Sequence, residues 1–199
     1  MRNTKIMAVK TIAIALVIMM TIVPNLGYIH TPWLKITLIH IPVILISMLF
    51  GTKMGIFMGL LFGFSSFISN TFNPSVLSFV FTPFYKLGDI GGGVGSIIIC
   101  FIPRLLLGVL SGTLASKNLN KVKLFISGFF LTLFHTITVL SLIYIFYNNE
   151  YASVMKLASN GVIKALMIIV GVNGIPEAIT AGILLTFMYK PLLRFVKNR

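Results

Sequence analysis

Apolar residues fall along this chain in long blocks separated by short polar or Pro/Gly-marked breaks. Six blocks, at 7–23, 34–50, 54–72, 96–114, 124–147 and 175–189, approach the roughly 20 mostly apolar residues that a helix needs to cross a bilayer. The last is short and runs on through Pro191 toward Val196. The breaks are Pro24-Asn25, Gly51-Thr52-Lys53, and the segments 73–95, 117–123 and 148–174. A further apolar stretch at 162–171 is too short to cross and is expected to be interfacial or re-entrant. The pattern predicts an all-α integral membrane protein, one domain over 1–199 with six transmembrane helices.

The basic residues orient it. With both termini on one face, that face receives Arg2, Lys5, Lys10, Lys53, Lys117, Lys121, Lys123, Lys190, Arg194, Lys197 and Arg199. The other face receives Lys35, Lys86, Lys156 and Lys164. This skew predicts cytoplasmic termini and a multi-pass protein of the cell (plasma) membrane. The long connections then face outward, which places function at the outer end.

Composition agrees. The chain is 57% hydrophobic and 10% charged, whereas a soluble domain averages roughly 45–50% and about 25%. Three acidic residues and sixteen basic ones cannot cover a globule with polar groups. The net charge of +13 is spread singly between apolar runs and at the ends, so a nucleic-acid surface is not indicated. Arg2 and Lys5 before an apolar run imitate a secretory signal, but Val23-Pro24-Asn25-Leu26 offers no small-x-small cleavage site. The single Cys100 forbids an internal disulfide. No internal repeat suggests a two-halved transporter, and six helices read as one subunit of something larger.

Ionisable residues within spans are costly and point to function. Arg104 lies well inside the fourth block, with Gly108 and Gly112 on its face at i+4 and i+8, where another helix could approach. Pro103 before it frees a backbone carbonyl nearby. The guanidinium either anchors an anionic ligand or pairs with Glu177 or backbone carbonyls. Glu177, in Asn173-Gly174-Ile175-Pro176-Glu177, is either a first-turn acid favoured by the helix dipole or, with Asn173, a ligand contact. Arg104 and Glu177 are expected to face one pocket.

Segment 70–85 mixes Asn70, Asn73 and hydroxyls with Phe81 and Tyr85 between Pro74 and Pro83. It suits either a small-molecule pocket or an aromatic belt, and the amides favour the pocket. The glycines of 88–93 would then hinge a lid. His40 and His135 have no metal-binding partners in sequence and are expected to be satisfied helix contacts. Ser141 and His135 are six apart and do not share a face, and Gly91-Gly92-Gly93 lacks the Lys-Ser/Thr of a phosphate loop. No catalytic residue, metal or cofactor is expected. Ala8, Thr11 and Ala15 form a small-residue stripe in the first block, suited to docking on another membrane subunit.

Taken in order, His40-Ile41-Pro42-Val43-Ile44, Phe50-Gly51-Thr52-Lys53-Met54-Gly55, the Asn73-Pro74…Thr82-Pro83-Phe84 loop, Ile102-Pro103-Arg104 and Asn173-Gly174-Ile175-Pro176-Glu177 resemble the substrate-binding (S) components of energy-coupling factor vitamin transporters. The similarity covers most of the chain and is nearest to the pantothenate-specific branch. It implies a six-helix protein that captures a vitamin at its outer end. It also implies assembly with a transmembrane coupling subunit and two cytoplasmic ATPases, and toppling in the bilayer to release the ligand inward. Pantothenate carries a carboxylate, an amide and hydroxyls, which assigns Arg104 to the acid and Asn73, Asn173 and Glu177 to the rest. Another nutrient such as riboflavin is the alternative, and a ligand-free structural partner the bland one. The family's docking motif, two alanines four residues apart, is altered here: Ile12 follows Ala8, and Ala15 follows Thr11.

Overall fold

The computed structural model describes residues 2–23, 26–30, 35–115, 119–158 and 161–197. Pro24 and Asn25 of the first break, Leu34 of the second expected span, and Lys117 and Arg199 of the basic count lie outside these, as do the side chains of Arg2 and Lys35. Helix α1 (Arg2–Ile22) turns Val9, Ala13, Val17 and Met20 inward at helical spacing, while most of its surface faces outward. An antiparallel hairpin follows, β1 (Tyr28–His30) with β2 (Lys35–Thr37), pairing Tyr28 with Thr37. Helix α2 (His40–Phe50) then leads through Gly51 into α3 (Thr52–Phe72). At Gly51 φ is +87°, a value that favours glycine and lets two helices meet across one residue.

The second expected span, 34–50, is helical over only part of its length. Only 11 residues of it are helical, about 16 Å of rise, and strand β2 occupies its start. Nine of the 11 are buried, so α2 is apolar all round because it is the centre of the bundle. Hydropathy alone reads a buried half-length helix and a lipid-facing one alike.

A single 3₁₀ turn (Ser78–Val80) and a small ladder, β3 (Lys86–Leu87) with β4 (Ile90–Gly91), connect α3 to α4 (Val94–Thr113). Asn120 caps α5 (Lys121–Val154) by accepting a hydrogen bond from the Lys123 N–H at 2.8 Å. This helix kinks at Tyr147, whose phenol oxygen accepts the Gly93 N–H at 2.8 Å and lies 2.6 Å from the Ser96 hydroxyl. The apolar stretch read as interfacial or re-entrant is α6 (Val162–Ile169), which passes through a π turn (Val170–Gly174) into α7 (Ile175–Lys197). Among the described residues, five helices are long and apolar enough to cross a membrane, with 162–197 counted as one.

Small residues set the closest contacts. A Cβ added to Gly55 of α3 would strike the Gly108 carbonyl of α4, and one added to Gly108 would strike the Gly55 carbonyl. Gly59 faces the Arg104 carbonyl, and Gly112 faces the Thr52 backbone, in the same way. The face of Arg104 that the sequence left open to another helix is therefore taken by α3, backbone against backbone. Because these neighbours are main chain, Gly55→Val should force the helices apart and cost about 1–3 kcal/mol or more, read as a lowered melting temperature of the detergent-solubilised protein. An unchanged melting temperature would show that the pair is not tightly seated.

Candidate functional site

Pro103 and Arg104 build the centre of the site together. A proline at 103 has no N–H to give the Ile99 carbonyl one turn earlier. The Arg104 side chain supplies that donor instead, its Nη1 lying 2.7 Å from the Ile99 oxygen. Nη2 donates to the Ser66 hydroxyl at 3.3 Å. The guanidinium lies 5.5 Å from the centroid of the Phe62 ring and 5.2 Å from that of Phe81, two cation–π contacts in a desolvated setting. Arg104 is 5% exposed, and its Nε has no partner.

Arg104 lines a cavity of about 60 Å³, several times the room that one water needs. Arg104, Phe81, Asn173 and Glu177 all line it, so the expected shared pocket of Arg104 and Glu177 is present as geometry. The two charges do not pair: the Glu177 Oε1 accepts the Thr37 N–H at 2.9 Å, while Arg104 keeps to Ile99 and Ser66. Asn173 reaches the cavity from the π turn, an insertion of the kind often found at functional sites.

Asn73 and Tyr85 do not line it. Asn73 ends α3 in an exposed position, and Tyr85 packs half-buried on the apolar cluster around Phe79 and Tyr151. Asn70, one turn earlier, takes the inward place instead. Its Nδ2 donates to the Ser66 carbonyl at 2.8 Å, and its Oδ1 accepts from Ser78 at 2.8 Å, tying the following loop to α3. The glycine run also differs from a loose hinge. A Cβ at Gly92 would strike the Thr82 carbonyl, so this glycine is a close-packed joint, and only Gly88 uses a positive φ, +62°.

Several lining residues escaped sequence reasoning. Tyr28 and Thr37 come from the hairpin, Ser66 from α3, and His135 from α5. The buried positions Ser65, Ser66, Ser69 and Asn70 form a polar stripe at helical spacing inside an apolar block, a signal that was visible. The hairpin gave none. Tyr28 is 2.9 Å from the Ser65 hydroxyl. His40 and His135 were expected to be satisfied; instead both His40 ring nitrogens and the His135 Nε2 are buried without partners.

A multi-pass helical bundle that encloses a small cavity, with unpaired buried polar groups converging on it, is a membrane receptor for one small ligand. Residues 6–189 match the family described as "ECF transporter, substrate-specific component". The chain is 31% identical to the pantothenic acid transporter PanT of Lactococcus lactis subsp. cremoris (strain MG1363), over the full length of both. It therefore belongs to the substrate-specific component family of ECF transporters, as the ordered motifs implied, and is a transport component of the plasma membrane, not an enzyme.

Glu177 holds the hairpin through one hydrogen bond from the Thr37 N–H, an interaction worth roughly 0.5–1.5 kcal/mol. Glu177→Ala should accelerate hydrogen–deuterium exchange of the 35–39 backbone by up to about tenfold. Unaltered protection would mean that other contacts hold the hairpin down.

Proposed function

We propose that this protein is the pantothenate-capturing subunit of an ECF-type importer and that Arg104 binds the vitamin's carboxylate. The observation that carries the reading is the guanidinium itself, buried at the lining of the cavity, with an unbonded Nε–H and, among the described residues, no acidic partner. Only an anion both neutralises that charge and accepts from the fork. Phe81 supplies an apolar wall, and Asn173 and Glu177 supply polar groups for the amide and hydroxyls. The relative PanT is named for the same vitamin.

The topology follows from the ends of the chain. The Lys5 ammonium lies 5.5 Å from the Phe195 ring centroid, and Lys10 lies 4.9 Å from that of Phe50. The start of α1, the end of α2 and the end of α7 therefore share one end of the bundle. Termini at the same end fit an even number of crossings, and the reading of six counts the hairpin and α2 together as the second. The basic residues at that end make it cytoplasmic, and the cavity opens outward from one membrane domain.

Energy comes from partners, a transmembrane coupling subunit and two cytoplasmic ATPases. The stripe Ala8, Thr11 and Ala15 lies on the exposed side of α1, opposite Val9, Ala13 and Val17, where a second membrane subunit could seat closely.

Two measurements test these assignments. The purified chain should bind pantothenate saturably, and Arg104→Ala should raise Kd about 100-fold, or about 2.7 kcal/mol. Pantothenol, its uncharged alcohol analogue, should bind the unaltered protein about as weakly. Tight binding of pantothenol, or of riboflavin in place of pantothenate, would overturn the assignment. For the partners, Ala15→Trp should reduce recovery of the assembled complex severalfold while leaving vitamin binding by the isolated subunit intact. Undiminished assembly would remove α1 from the docking surface.

A further inference from the structure

We infer that His135 is a specificity residue that reads an uncharged hydroxyl of the ligand beside the carboxylate held by Arg104. The inference rests on the pantothenate reading above. His135 is 4% exposed, lines the cavity, and presents an Nε2 with no partner in the chain. A buried ring nitrogen left unpaired is costly, so the site is complete only when something polar meets it. His40, the other buried histidine of the helices, does not line the cavity.

The surroundings narrow what that partner is. The His135 ring packs on Phe62, centroids 5.6 Å apart, and the Arg104 guanidinium lies over the same Phe62 ring. The two polar groups are thus neighbours around one apolar side chain, within reach of opposite parts of a single small molecule. Val139 and Leu140, one turn along α5, complete an apolar wall. A neutral imidazole offers one nitrogen as donor and the other as acceptor. A second anionic group on the ligand would need a second cation, and among the described residues lining the cavity Arg104 is the one arginine or lysine. A hydroxyl both donates and accepts, so it satisfies Nε2 in either tautomer. Thr37, whose Oγ1 is also buried and unpartnered, lines the same cavity.

The test is a cycle of ligand against variant. Binding of pantothenate, of its analogues lacking the primary or the secondary hydroxyl, and of pantothenol is measured for the unaltered chain, His135→Phe and His135→Gln. One deoxy analogue should bind the unaltered chain about tenfold more weakly than pantothenate. In His135→Phe, which keeps a ring on Phe62, that difference should vanish while the preference for pantothenate over pantothenol persists. His135→Gln should restore part of the hydroxyl preference and covers the case in which the Phe variant does not fold. If the unaltered chain ignores both hydroxyls, or if His135→Phe and His135→Gln discriminate as well as it does, the assignment is overturned while pantothenate capture stands. If the unaltered chain does not bind pantothenate, both fall.

Discussion

A charged group held inside an apolar bundle is the constraint around which the rest is arranged. Arg104 is kept there by a proline-freed carbonyl, one serine hydroxyl and two aromatic faces. None of these carries a formal negative charge. A buried cation compensated only by dipoles and π faces is costly, and it is tolerated where an incoming anion completes the set. The glycine contacts of α3 and α4 belong to the same arrangement, because backbone contact at Gly59 and Arg104 brings Ser66 and Phe62 within reach of the guanidinium.

The second acid–base group is used differently. Glu177 does not neutralise Arg104; it accepts the Thr37 N–H and so fastens the hairpin over the cavity. Separate partners leave both charges uncancelled within one small space. Had they paired, the fork would be occupied and the cavity would offer an anion little. The hairpin thus closes the site through its backbone, and a residue type carries no sign of that role.

Family membership and geometry answer different questions. The match over residues 6–189 and the full-length likeness to PanT give the class of transporter. They do not bear on the proposal that a small cavity in this chain takes an acid. That argument comes from the unpartnered Arg104 Nε, and its complement from the unpartnered His135 Nε2 and Thr37 Oγ1.

Hydropathy, charge skew and the position of one arginine were legible in the chain, because lipid demands long apolar helices and makes any buried ion stand out. Pro103 beside Arg104 even foretold a freed carbonyl. The placement of α2 was not legible: a helix buried on all sides by protein has the same composition as one facing lipid, and only the packing of α3, α4 and α7 around it separates them. Nor was the exchange of Asn73 for Asn70, three residues apart, since helix phase decides which amide turns inward. The hairpin contacts of Tyr28 and Thr37 join residues 37 and 140 positions distant from Ser65 and Glu177, a closeness that no local pattern encodes. Residue chemistry was fixed by the chain itself; which polar atoms were left unpaired was decided by the folded packing, because pairing depends on who arrives as a neighbour.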